Sequence, residues 1–287
     1  MPRVPSISGV FHVAGPLSMI WVSLAVGDDL SGLQESIRKL SPHVREGEQL
    51  AESRQAVGPD LRSRLQQANG ESRRQWLAVK SSKEWEAFRQ QRLAALKESL
   101  GDWPDPPKPI RSVVAGKVEG DGFVVENIAY ESRAGWWVIA NLYRPAKPNA
   151  EMPGIIISHS HHRPKEHGEL QDMGMTWARA GCYVLVPDHL GHGERGQHGF
   201  TSSDDFPREF RVSRQDYYFR YDNSIQLYLA GDSLMGWMAW DLMRGVDVLL
   251  KQEGIDSEKI IMLGAVAGGG DPCAVTAALD ERIACAA

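Results

Sequence analysis

Apolar positions follow three different patterns along this chain. Between residues 28 and 100 they are sparse and helical in spacing, and 31–40 and 58–79 have the composition of surface helices. Ser82-Lys83-Glu84 opens a further helix with a capping signal, and Trp85, Phe88, Leu93, Leu96 and Leu100 follow at near-helical spacing. Gly101 and Pro104 end it, and the proline-rich run 103–109 is a stiff connector. A domain boundary is expected there, which gives a signal-like segment 1–27, a helical extension 28–110 and a core 111–287.

Beyond the connector the pattern turns to strands. Residues 123–130 alternate and 136–143 are rich in aromatic and β-branched residues, so with 132–135 between them they predict an antiparallel hairpin. A βαβ rhythm follows. The run 154–158 is apolar without alternation, 170–180 reads as a helix ended by Gly181, and 183–186 is a second apolar strand. A long loop is expected from 191 to about 223. Leu234, Trp237, Trp240, Leu242, Val246 and Leu249 then form one buried helical stripe. Residues 255–259 lead into a strand at 260–263, which runs into Gly264-Ala265-Val266-Ala267-Gly268-Gly269-Gly270. The pattern predicts an α/β class with a mostly parallel sheet, and chemistry is sought where its strands end, after Ser158, Val186 and Leu263.

Composition narrows the field. With 42% apolar and 24% charged residues the balance is that of an ordinary globular chain, and the net charge of −5 with no basic block argues against a nucleic-acid partner. Three widely spaced cysteines, Cys182, Cys273 and Cys285, make neither a disulfide framework nor a metal motif. Arg3 before an apolar stretch at 13–26, with Ala25-Val26-Gly27 at cleavage spacing, reads as a secretory signal, and so the chain is expected to be secreted or periplasmic. A disordered or mis-started N-terminus is the alternative. The mature chain is expected to have no membrane span and no cofactor. The pattern sets no oligomeric state.

Gly264-Ala265-Val266-Ala267-Gly268 has the layout of G-x-S-x-G, in which a serine nucleophile sits on a strained turn between strand and helix. Valine at the central position has no proton to lose and no lone pair to attack with, and a β-branched residue disfavours such a turn. The turn is therefore either relaxed or pinned. Together with this elbow, five segments resemble the acetyl xylan esterase-like branch of the α/β-hydrolases: 159–162, 186–194, 229–237, 240–247 and 277–283. The resemblance covers roughly 82–287. It implies an α/β-hydrolase fold, a carbohydrate acetyl ester as ligand and no cofactor. It also implies an oxyanion site, shaped by His159, Ser160, His161, Asp188 and His189 and closed by the amide of Ala267. In that family the acid and histidine follow the elbow, so a sheet incomplete at the C-terminus, in a truncated frame, is expected here.

Two other features compete with the elbow. Gly231-Asp232-Ser233 looks like a displaced elbow, but its second glycine comes one residue late, so Ser233 reads as a helix cap, with a nucleophile as the alternative. Seven of the nine histidines lie between His159 and His198, and Ser158-His159-Ser160-His161-His162 is similar to the HxHxDH zinc site of metallo-β-lactamases. Arg163 and Pro164 stand where that pattern needs Asp and His. A metal site from His159, His161, Asp188 and His189 is the alternative to a pocket-shaping role. Asp241 and Arg244 read as a pair three apart on a helix, and the tryptophans at 136, 137, 237 and 240 as core. The sequence thus supports two classes: an ester hydrolase, by another nucleophile or by a metal-bound water, and a non-catalytic binding or structural protein on a hydrolase scaffold.

Overall fold

The computed structural model describes residues 29–40, 47–106, 108–159, 164–197 and 215–287. The signal-like segment 1–27 lies outside them. Contacts divide the chain into two units, 1–78 and 79–287. The first holds three helices, α1 (Asp29–Lys39), α2 (Gly47–Gln55) and α3 (Val57–Ala78). Neither α2 nor α3 has a buried residue, as their polar composition implies.

The second unit begins with α4 (Ser82–Ser99). Its cap lies one residue earlier than the sequence suggests. Ser81 Oγ accepts from the Glu84 N–H at 3.3 Å, and the Glu84 carboxylate accepts from the Lys80 N–H at 2.8 Å, a reciprocal box that satisfies the free amides of the first turn. The strands are β1 (Ser112–Gly120), β2 (Phe123–Arg133), β3 (Trp136–Pro145), β4 (Met152–Ser158), β5 (Tyr183–Pro187), β6 (Ile255–Gly264) and β7 (Ile283–Ala286). They form one sheet in the order β1-β2-β3-β5-β4-β6-β7. The pairs on the β1 side are antiparallel as far as β3–β5, and β5-β4-β6-β7 run parallel. The expected hairpin is β2–β3. β1 is an edge strand with Val113, Val114 and Val118 exposed, so it carries no alternation for a sequence reading to find.

Helices α5 (Gly168–Arg179), α6 (Gln215–Leu229), α7 (Leu234–Leu249) and α8 (Val266–Leu279) complete the unit. α6 occupies part of the stretch read as loop, because its Tyr221, Ile225 and Tyr228 are exposed and give no core-facing stripe. The sheet is buried on both faces. Ile156 packs with Tyr130, Leu185, Leu242 and Met262 in a core that includes α7, whereas Ile155 and Ile157 pack with Tyr143, Val184, Leu170 and Ala178 under α5. Consecutive isoleucines thus serve opposite cores, which is why β4 is apolar throughout.

Candidate active site

The carboxyl ends of β4, β5 and β6 meet at one edge of the sheet. β6 ends at Gly264, Ala265 caps the next helix, and Val266 opens α8 with φ of 58°. A left-handed backbone costs a non-glycine residue about 1–2 kcal/mol, and a β-branched side chain suits it least. The turn is therefore pinned rather than relaxed. Glycines allow the clamp. A Cβ on Gly269 would stand 2.2 Å from the Ser158 carbonyl oxygen, and one on Gly264 would stand 2.5 Å from Cys273 Cβ. Only bare backbone lets the first turn of α8 lie this close to β4. Val266 is 65% exposed, so its side chain stands out at the apex. It and Ala267 belong to the first turn, whose N–H groups have no partner within the helix.

A cavity of about 460 Å³ opens beside this turn, lined by Ser158, His159, His167, Glu169, Gly264 and Ala265 among others. It brings His159 and the elbow together. Ser160 and His161 lie outside the described residues. Asp188 and His189 follow β5 and are buried, and neither belongs to the cavity lining.

These buried groups are committed to one another. His159 Nε2 accepts the His189 N–H at 3.2 Å, which leaves that nitrogen without a proton. It lies 3.9 Å from Asp188 Oδ1, too far for a hydrogen bond. The His189 ring places Nε2 2.9 Å from the His159 carbonyl and 3.2 Å from Ser158 Oγ. Burial, and then the rings of His159 and His192, hold the His189 imidazole well below its ordinary pKa.

Asp188 is taken up differently. Its carboxylate accepts from the Lys165 N–H at 2.8 Å, from Lys165 Nζ at 2.9 Å and from the Glu194 N–H at 3.4 Å. Lys165 also pairs with Glu194. Burial works against the Lys165 charge, but Glu194 and Asp188 outweigh it and hold the ammonium above its usual range. Arg195 donates to the Asp188 carbonyl at 3.0 Å and pairs with Asp241 at 2.8 Å. The expected Asp241–Arg244 pairing is thus replaced: Asp241 takes Arg195, and Arg244 pairs with Asp247 one turn on. No local spacing marks Lys165 or Arg195 as partners of these acids, since the chain between them closes only in three dimensions.

Of the alternative metal arrangement, His159, Asp188 and His189 are described and His161 lies outside the described residues. Asp188 spends its oxygens on Lys165 and backbone amides, and His159 Nε2 already accepts a hydrogen bond. Among the described residues no group of three or more His, Cys, Asp or Glu side chains could hold a metal ion.

Ser233 is the cap of α7. It is 3% exposed, and its Oγ donates to the Leu100 carbonyl at 2.8 Å and accepts the Gly236 N–H at 3.0 Å. Its hydroxyl is spent on the junction of α4 and α7. Trp240 is buried and donates to the Ser132 carbonyl at 2.8 Å, while Trp136 and Trp237 meet edge to face at 5.4 Å.

No family model matches the chain. The protein YtaP of Bacillus subtilis (strain 168), provisionally assigned as a hydrolase, is 24% identical over 207 residues, 68% of this chain and 62% of that protein. Among solved structures, a provisionally assigned acetyl xylan esterase from Bacteroides fragilis NCTC 9343 matches with a TM-score of 0.57 at 18% identity, over 71% of this chain and 53% of that one. A methylesterase matches with a TM-score of 0.52 at 20% identity, over 77% of this chain and 45% of that one. The chain therefore spans less than two thirds of each relative's length. At these identities the likeness establishes the fold, that of an α/β-hydrolase.

Proposed function

We propose that this chain, an α/β-hydrolase by fold, binds a carbohydrate ester beside its elbow and does not hydrolyse it by serine chemistry. The observation that carries the reading is Val266, in the left-handed backbone of a strand-to-helix turn, where the fold's nucleophile belongs. The strained turn is retained while its reactive atom is not. The free first-turn amides of α8, beside the cavity at His159, suit the carbonyl oxygen of an ester. The ester and carbohydrate class is supported by the names of the structural neighbours and by the segments that resemble acetyl xylan esterases.

The test is hydrolysis of 4-nitrophenyl acetate and of acetylated xylo-oligosaccharides by the purified chain, with and without a chelator, alongside calorimetric binding of the same oligosaccharides. Binding without turnover is expected. Turnover that survives the chelator would overturn the reading and send the search to another nucleophile. Turnover that the chelator abolishes would overturn it in favour of a metal-bound water. Val266→Ser is expected to stay inactive, because His159 Nε2 and His189 Nε2 are each engaged with the other residue's backbone.

Export is part of the proposal. It rests on the pattern of residues 1–27, and no helix among the described residues is long and apolar enough to cross a membrane. Expression of the full chain with N-terminal sequencing of the exported product checks it; an uncleaved product that stays in the cytoplasm would refute it.

A further inference from the structure

We infer that a second cavity, beside a different face of α5 from the elbow, binds a neutral sugar unit. It shares no lining residue with the elbow cavity. The inference does not use the elbow, so it stands whether or not an ester binds there.

The site originates in the register of β2 and β3. Phe123 lies opposite Pro145, Val125 opposite Tyr143, and Asn127 opposite Asn141. Directly opposed residues of an antiparallel pair point to the same face. This face supplies Phe123 and Tyr143 to the core under α5, so two asparagines facing each other at its end break the apolar pattern. Asn141 is 8% exposed, and its Oδ1 has no hydrogen-bond partner. Buried polar atoms are normally satisfied, and one that lines a cavity is placed to pair with whatever occupies it.

The cavity measures about 680 Å³, within the range of small-molecule sites. Phe123, Val125 and Met175 supply apolar lining, and Asn127, Asn141, Gln171 and Glu194 polar lining. A fitting ligand therefore offers both hydroxyl donors to amide and carboxylate oxygens and carbon-bound hydrogens to the apolar residues. Its charge is constrained too. Lys165, the cation among the described lining residues, is matched by Asp188 and Glu194, and Glu166 adds a further carboxylate, so the lining itself offers no spare cation to a phosphate or a carboxylate ligand. A neutral pyranose or pentose unit meets each of these demands.

The experiment titrates the full chain with D-xylose and with xylotriose, followed by amide chemical shifts and calorimetry, with inorganic phosphate as competitor. Saturable sugar binding indifferent to phosphate is expected. Asn127→Ala and Gln171→Ala change side chains outside the core, and each is expected to weaken binding by up to about tenfold, the worth of one good hydrogen bond. Asn141→Leu is expected to abolish saturation; if that variant fails to fold, the other two carry the test. Absence of saturable binding, binding untouched by all three substitutions, or binding displaced by phosphate overturns the inference. Ala265→Trp fills the elbow cavity alone. Loss of sugar binding in that variant, with the three others unaffected, would overturn this site while leaving the elbow proposal intact.

Discussion

The His189 backbone N–H donates to His159 Nε2 at 3.2 Å, and the His189 ring answers with Nε2 at 2.9 Å from the His159 carbonyl. This reciprocal pair ties the residue after β4, which lines the elbow cavity, to the loop after β5. It spends both imidazoles on holding two strand ends together. The rings are 4.3 Å apart, and neither reaches solvent.

The pair makes stability sensitive to acid. The folded-state pKa of His189 is depressed below the unfolded value of about 6.5, so the unfolded chain binds more protons below that pH. Stability should therefore be full above about pH 6.5 and fall as the pH drops through and below it. The slope from this residue approaches about 1.4 kcal/mol per pH unit. Denaturant unfolding between pH 7.5 and 5 measures it, and His189→Gln should flatten the curve. An unchanged slope in that variant would assign the acid sensitivity elsewhere.

Val266→Gly should stabilise the fold. It removes the left-handed penalty of a β-branched residue, offset in part by the greater freedom of glycine in the unfolded chain. The exposed side chain contributes little burial. A net gain of about 1 kcal/mol is expected, seen as a rise in Tm of about 2–4 °C. A fall in Tm would mean that the valine makes contacts which outweigh the strain.

Lys165→Met should cost about 3–5 kcal/mol, because it leaves the buried Asp188 carboxylate without its counter-charge. Adding Asp188→Asn to it should recover much of the loss. Chemical denaturation of the two variants tests the coupling; additive losses would show that the two groups act independently.

Ser233→Ala should cost about 1–3 kcal/mol, from the lost cap of α7 and a Leu100 carbonyl left without its donor. Any ester turnover should be unchanged at a temperature where the variant is folded. Turnover lost from the folded variant would make Ser233 the nucleophile after all.

Much of the fold was legible in local patterns. Period-two alternation marked β2, aromatic and β-branched residues marked β3, uninterrupted apolar runs marked β4 and β5, and the glycine-rich run after Leu263 marked the turn into α8. These signals survive because burial acts on each residue according to its own side chain. β1 and α6 lacked such a signal, since their apolar residues face solvent. Residues 160–163 and 198–214 lie outside the described residues, and with them Ser160 and His161 of the expected pocket.

The sequence by itself determined the mostly parallel sheet class, the place of the strand-to-helix turn at Val266 and the lack of a nucleophilic atom on that side chain. The tertiary structure decided which conformation the turn adopts and which partner each charge takes. Asp188 meets Lys165 and Asp241 meets Arg195, each across a separation that no sequence period spans. Side-chain burial is written residue by residue, but a charge or an amide is satisfied by whichever partner chain closure brings within about 3 Å, and only the folded backbone sets that distance.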